Sequence, residues 1–287
     1  MTVLFKDDFR AGLRRAGDEP GWQLRRVGSL PGGDAVATTT ADGLVLDPIG
    51  TNPETGDPCY AFGATTPNSG SSHIKFQMSA HTAVGHGPSG FAIEPGTRLT
   101  AESTLAVRNF GTNAHPFGNI VVTDHNDDFR LTTGGMFAAD LASSLIFLLI
   151  CTNRRVYAGY ERIPGDVGLA TFCQFVPVAE RTPESRHHFA FRYHDGTFEW
   201  LVDGDTALSH DRIGRRLPPS AASSLKDDGV RDGNAEIGRL LFGLTTFTLL
   251  EVGGIGGEPV AADPAVAELW GQGTRLTVSR FAVRQEV

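Results

Sequence analysis

The sequence predicts an all-β protein, a two-sheet antiparallel β-sandwich forming one domain over residues 1–287. Three observations carry that prediction. Glycine supplies 35 of 287 residues, well above the usual share of ~7%, which suits a chain with many tight turns. Apolar and polar residues alternate with period two along much of the length, the mark of strands with one buried face. Two Asp-Gly dipeptides, Asp195-Gly196 and Asp203-Gly204, lie between such runs, and their tolerance of positive φ matches the twist of a hairpin.

Taken in order, the chain opens with VLFKDDF, a short apolar run closed by acids. DGLVLDPIGTNP reads as a strand followed by a Pro/Gly/Asn turn. RLTAESTLAVRNFG sets Leu99, Ala101, Ser103 and Leu105 against Thr100, Glu102, Thr104 and Ala106, one face each. GNIVVTDHNDDFRLTT reads as two strands around an Asp/Asn turn. SLIFLLICTNRRVYAGYERIP gives two strands joined at Thr152–Arg154. HHFAFRYHDGTFEWLVDGDTAL gives three strands joined by the Asp-Gly turns. RLLFGLTTFTLLEV is a further apolar strand, and TRLTVSRFAVRQ closes the chain with clean alternation. Helix signals are confined to Asp8–Ala16 and to Asp263–Leu269, where Asp263 would cap and Pro264 would take the first position. Ala64–Gly90, Gly214–Gly238 and Gly253–Asp263 read as long loops over the concave sheet face or along its rim.

Composition excludes several classes. The formal charge is −8 and no Lys/Arg stripe runs along any segment, so nucleic acid is not an expected partner. The longest apolar run, Leu141–Cys151, is too short to span a bilayer, and the first ten residues lack the basic and apolar regions of a secretory signal. Cys59, Cys151 and Cys173 form an odd set without CxxC spacing, which fits a reducing compartment. The expected location is the cytoplasm. Only three of the 25 basic residues are lysine, a bias typical of GC-rich genomes such as those of actinobacteria.

FAFRYHDGTFEWLVDGDTAL resembles the paired strands of the concanavalin A-like jelly rolls, the superfamily of laminin-G domains, legume lectins and family-16 glycosidases. Trp200, Val202, Asp203 and Gly204 match its W-x-V-D-G strand. The opening DDF with Trp22, and the closing RLTVSRFAV, fit the same pattern. His115–Gly118 (HPFG), Thr152–Pro164, and Val202–Gly204 with Asp211–Gly214 look more closely like an uncharacterised actinobacterial family. That resemblance implies a concanavalin A-like sandwich and no established reaction. Trp270–Ser279 (WGQGTRLTVS) mimics the joining segment of an antibody variable domain, but the Cys…Trp…Cys core of that fold is missing.

Family-16 enzymes carry their carboxylates on one strand as E-x-D-x-(x)-E, because alternate residues share a face; no such string occurs. Seven Trp plus Tyr against 18 Phe argue for an apolar cleft over a sugar platform. Asp124-His-Asn126-Asp-Asp128 starts like a calcium loop but has Phe129 at the sixth position and Gly135 at the twelfth, so a polar turn is the better reading. No HxH, HxxxH or HExxH spacing, GxGxxG after a strand, G-x-S-x-G or P-loop occurs, so neither metal nor cofactor is expected.

Thr152–Pro164 stands out. On a strand, Asn153, Arg155, Tyr157, Gly159 and Glu161 share one face, with Tyr157 and Glu161 ~13 Å apart. The functional reading places this face in a cleft, with Glu161 or Tyr157 moving a proton and Arg155 stabilising an oxyanion. The bland reading is an edge strand with a structural Arg–Glu pair. His115 and Asn119 share a face at the start of a neighbouring strand, and a His suits proton transfer near neutrality. Gln174, set among apolar neighbours, is either hydrogen-bonded in the core or a ligand contact. Arg130 completes the substrate-binding set.

The functional expectation is a cofactor-independent enzyme of specialised, polyketide-like metabolism. Glu161, Tyr157 and His115 are its candidate catalytic residues. Arg155, Asn119, Asn153, Gln174 and Arg130 would hold an apolar, partly oxygenated small molecule during cyclisation, isomerisation or dehydration. The alternatives are a carbohydrate- or lipid-binding module and a glycoside hydrolase or lyase with a rearranged site.

Overall fold

In the computed structural model the described residues are 1–17, 19–61, 73–82, 90–113, 124–165, 168–219, 222–249 and 271–287. They form β1 (Thr2–Asp7), β2 (Gly21–Leu24), β3 (Val36–Thr40), β4 (Gly43–Asp47), β5 (Gly50–Thr51), β6 (Pro58–Cys59), β7 (Ile74–His81), β8 (Phe91–Ala92), β9 (Arg98–Phe110) and β10 (Thr133–Asp140). β11 (Leu145–Cys151), β12 (Arg155–Arg162), β13 (Phe172–Glu180), β14 (Arg186–His194), β15 (Thr197–Val202), β16 (Asp205–His210), β17 (Ser223–Asp227), β18 (Arg239–Phe247) and β19 (Gly273–Glu286) follow. Among these residues no helix is long and apolar enough to cross a membrane.

The strands make two large antiparallel sheets, as the periodicity predicts. One has eight strands in the order β16-β15-β14-β9-β19-β4-β3, with β1 also on β19. The other has nine, β17-β13-β12-β11-β10-β18-β7-β2, with β8 on β18. Both Asp-Gly turns hold the backbone that such hairpins need, with φ of 46° at Asp195 and 55° at Asp203. The buried Asp7 carboxylate accepts bonds from Trp22 Nε1 (2.9 Å) and Phe9 N (2.8 Å). Asp7 and Trp22 are thereby locked together, with Trp22 packed against Phe281 of β19.

One large core fills the space between the sheets, with Phe76, Met136, Phe147, Tyr160, Phe191, Phe198, Trp200 and Phe281 all buried. The nine-stranded sheet has a second buried layer on its other side: Phe137, Ala139, Leu148, Ile150, Tyr157, Phe175, Phe247 and Leu249. This double burial explains LIFLLIC at β11. A strand covered on both faces needs a continuous apolar run, not an alternating one.

Some expectations change. Asp8–Ala16 forms turns, because positive φ at Phe9 (61°) and Gly12 (94°) is incompatible with a right-handed helix. The stretch 64–90, read as loop, contains β7, an eight-residue strand inside the nine-stranded sheet. The stretch 214–238 supplies the edge strand β17. Within GNIVVTDHNDDFRLTT, residues 124–132 are turns leading into β10, and 118–123 lie outside the described residues. So does the expected helix at 263–269.

Candidate functional site

Strand register fixes which side chains meet on the outer face of the nine-stranded sheet. Glu161 lies opposite Ile146, then Ala139, then Leu241. The next outward row runs Gly159, Leu148, Phe137, Gly243, Ser79, Gln23. The third runs Tyr157, Ile150, Gly135, Thr245, Gln77. The first row is apolar beyond Glu161, the second ends in Ser79 and Gln23, and the third ends in Thr245 and Gln77. Glycine at 159 is required here, since a Cβ would come within 2.7 Å of Phe175 and 2.9 Å of Leu148.

Over these rows lies a cavity of ≈ 490 Å³, within the range of small-molecule sites. Its floor is Phe137, Ala139, Ile146, Leu148, Leu241 and Phe247. Glu161 and Asp140 stand at one end, and Arg25, His73 and Gln77 at the other. β12 and β7 are four strand spacings apart, ~19 Å, and the Glu161 and Gln77 rows differ by four residues, ~13 Å. The two ends are thus about 23 Å apart on a flat sheet. No single bond of a ligand can touch both, so chemistry and anchoring are divided between them.

At the first end, Cys173 Sγ donates to Glu161 Oε1 at 2.7 Å. Burial pushes the Glu161 carboxyl above the ordinary carboxylate value, and the thiol hydrogen bond offsets part of that rise. Cys173 itself is pushed well up by burial, then by the neighbouring Glu161 charge and the hydrogen bond to it. Asp140 is engaged by Ser143 Oγ at 2.5 Å and by Ala142 N at 3.3 Å. Among the described residues lining the cavity, Glu161 is therefore the acid best placed to carry a transferable proton.

At the second end, burial lowers His73 to about 4, helped by the charges of Arg25 and Lys75. The ring is neutral at pH 7. Its buried Nδ1 has no hydrogen-bond partner. Arg25 Nη1 donates to Gln77 Oε1 at 3.0 Å.

The other sequence candidates have different surroundings. Tyr157 shares the outer face with Glu161, but its hydroxyl donates to Asp127 Oδ1 (3.1 Å) and to Asp127 O (3.2 Å). Burial first, then Asp127, pushes its pKa up. Arg155 pairs with Asp127 at 3.2 Å, not with Glu161. Asn153 precedes β12 and pins two turns, accepting from Asn109 N (3.0 Å) while its amide reaches Asn109 O and Asn126 Oδ1. Arg130 forks onto Asp128. Gln174 faces inward, and the backbone of Leu217 satisfies both ends of its amide (2.8 and 3.3 Å). These five thus hold the framework and do not line the cavity over the sheet. His115 and Asn119 lie outside the described residues. In the Asp124–Asp128 turn, Asp124 pairs with Arg154 (2.7 Å) and its Oδ1 accepts from Asn126 N, and no cluster of metal-ligating side chains occurs among the described residues.

Sequence reading missed Cys173, Arg25, His73 and Gln77. Cys173 was readable in principle, by period two from Phe175. Arg25, His73 and Gln77 depend on β7 pairing with β18, some 170 residues away.

A family model described as "Family of unknown function (DUF6081)" matches residues 6–287. No curated protein matches the chain. Among solved structures it is similar to the alginate lyase AlgAT5 from polysaccharide lyase family 7, at 9% identity over 88% of this chain and 82% of that one, TM-score 0.45. It is also similar to the catalytic domain of an endo-1,3-β-glucanase (laminarinase) from Thermotoga petrophila RKU-1, at 12% identity over 99% and 97%, TM-score 0.46. A third is the Crh5 transglycosylase in complex with NAG, at 11% identity over 98% and 85%, TM-score 0.42. Identities this low do not bear on chemistry.

Proposed function

The chain belongs to this family of unknown function, and from the chemistry of its cavity we propose that it is an enzyme that moves a proton on an apolar, partly oxygenated small molecule. One observation carries the reading: Glu161, its carboxyl pKa raised by burial, stands at the edge of a largely apolar cavity of ≈ 490 Å³. A carboxyl whose pKa burial raises keeps its proton to higher pH and, once deprotonated, is a stronger base.

In a dehydration, neutral Glu161 gives its proton to a ligand hydroxyl. The C–O bond breaks with its electron pair on oxygen, and water leaves. The carboxylate then takes a proton from the adjacent carbon as the double bond forms, which restores the acid. In an isomerisation the same group protonates one carbon and deprotonates another. The floor of Phe, Leu and Ile favours a hydrocarbon-rich ligand over a sugar, which stacks best on Trp and Tyr.

The test incubates the purified protein and its Glu161→Gln variant with a small-molecule extract of the source organism, followed by mass spectrometry. The wild type should convert a species to an isomer or to a product lighter by one water, while the variant retains that species unchanged. Equal conversion by both overturns the role of Glu161. Retention of the same species by both, without conversion by either, identifies a binding module instead.

A further inference from the structure

From the shape and polarity of the same cavity we infer that its ligand is a single extended chain with a carboxylate head, the head lying against Arg25, Gln77 and His73. The inference rests on the cavity being the working site and adds the class and orientation of what it holds.

Shape argues for one chain. The cavity's two polar ends lie ~23 Å apart across an apolar floor, so a ligand that meets both is extended. The floor of Phe137, Ala139, Ile146, Leu148, Leu241 and Phe247 is apolar, where a chain's hydrocarbon would lie.

Polarity fixes the direction. Glu161 and Asp140 make one end acidic. At the other, Arg25 meets no carboxylate among the described residues; its partner is the neutral Gln77 amide. Arg26 beside it spends its Nε on the Gly28 carbonyl. His73 adds a buried ring nitrogen, Nδ1, without a hydrogen-bond partner in the same corner, close enough to Arg25 for their charges to interact. A guanidinium offers a planar fork that matches a carboxylate, and an unneutralised one at the end of an apolar slot favours an anion there. The Glu161 end offers no cation among the described residues lining the cavity, so a reversed head would lack a counter-charge there.

The test uses the full chain with sodium dodecanoate and dodecan-1-ol as probes, each below its aggregation limit, by calorimetry. The expected result is at least ten-fold tighter binding of dodecanoate, a preference that Arg25→Gln removes. Ala139→Trp, which fills the floor from an outward position, should abolish binding of both probes. Equal affinity of the two probes, with both lost in Ala139→Trp, overturns the carboxylate head and leaves the apolar slot standing. Binding of neither probe, or binding indifferent to Ala139→Trp, overturns the slot as well.

Discussion

The Cys173 thiol donates to Oε1 of Glu161 across 2.7 Å, from directly opposite positions on β13 and β12. The bond leaves Oε2 as the oxygen free to carry a proton toward a ligand. It also ties the two titrations together, since the Glu161 charge raises the thiol.

That coupling sets the reactivity of Cys173. Its raised pKa keeps the thiolate scarce, so iodoacetamide at pH 8 should alkylate it slowly. Glu161→Gln removes the charge and should speed the reaction several-fold. Cys151 is pushed up to about 12 by burial and should stay unlabelled in both proteins. Peptide mapping by mass spectrometry reads all three rates, and an unchanged Cys173 rate would break the link between the two groups.

Stability should carry the signature of Glu161. Its folded-state pKa lies above the value of the unfolded chain, so the native state binds the proton more tightly. The resulting stabilisation is present below the unfolded pKa and is lost as pH rises through the folded one. Glu161→Gln is free of that loss. Its melting temperature relative to wild type should therefore be a few degrees higher at pH 8 than at pH 4. A difference that does not vary with pH would contradict the burial of this carboxyl.

His73 should report an anion directly. In the free protein it titrates at about 4. A carboxylate bound beside it favours the imidazolium, so its proton resonance should titrate at higher pH once dodecanoate is present, and dodecan-1-ol should leave it unmoved.

Tyr157 should prove a clamp. Its bonds to Asp127 fasten the 124–131 turn to β12, next to Phe129, whose ring lies 5.0 Å from that of Tyr157. Tyr157→Phe should cost about 1–2 kcal/mol and speed amide exchange in that turn, while dodecanoate affinity stays within two-fold. A loss of turnover with stability intact would return Tyr157 to the chemistry.

Much of the fold was legible because its determinants are local. Asp195-Gly196 and Asp203-Gly204 select their turns from two residues, and β11–β12 is announced by an apolar run, a Thr-Asn-Arg break and a second run. The face holding Asn153 to Glu161 was also legible by period two. Which of its members reach the cavity was not. Asp127 claims Arg155 and Tyr157, and it comes from a turn whose position depends on tertiary packing. The cation-bearing end was hidden more deeply. β7 lies in a stretch of Gly, Ser and His that reads as loop, and its strand character comes from pairing with β18 and β2. Gln174 shows the same limit in reverse: its isolation among apolar residues flagged a polar contact, and the contact is the Leu217 backbone.

The most direct test of the account is the titration of the Glu161 carboxyl by carbon NMR, assigned by difference from Glu161→Gln, with the cavity empty and filled by dodecanoate. The account predicts a midpoint above the ordinary glutamate value of about 4.3, moving higher when dodecanoate excludes water from the slot. A midpoint at the ordinary value, indifferent to dodecanoate, would contradict it.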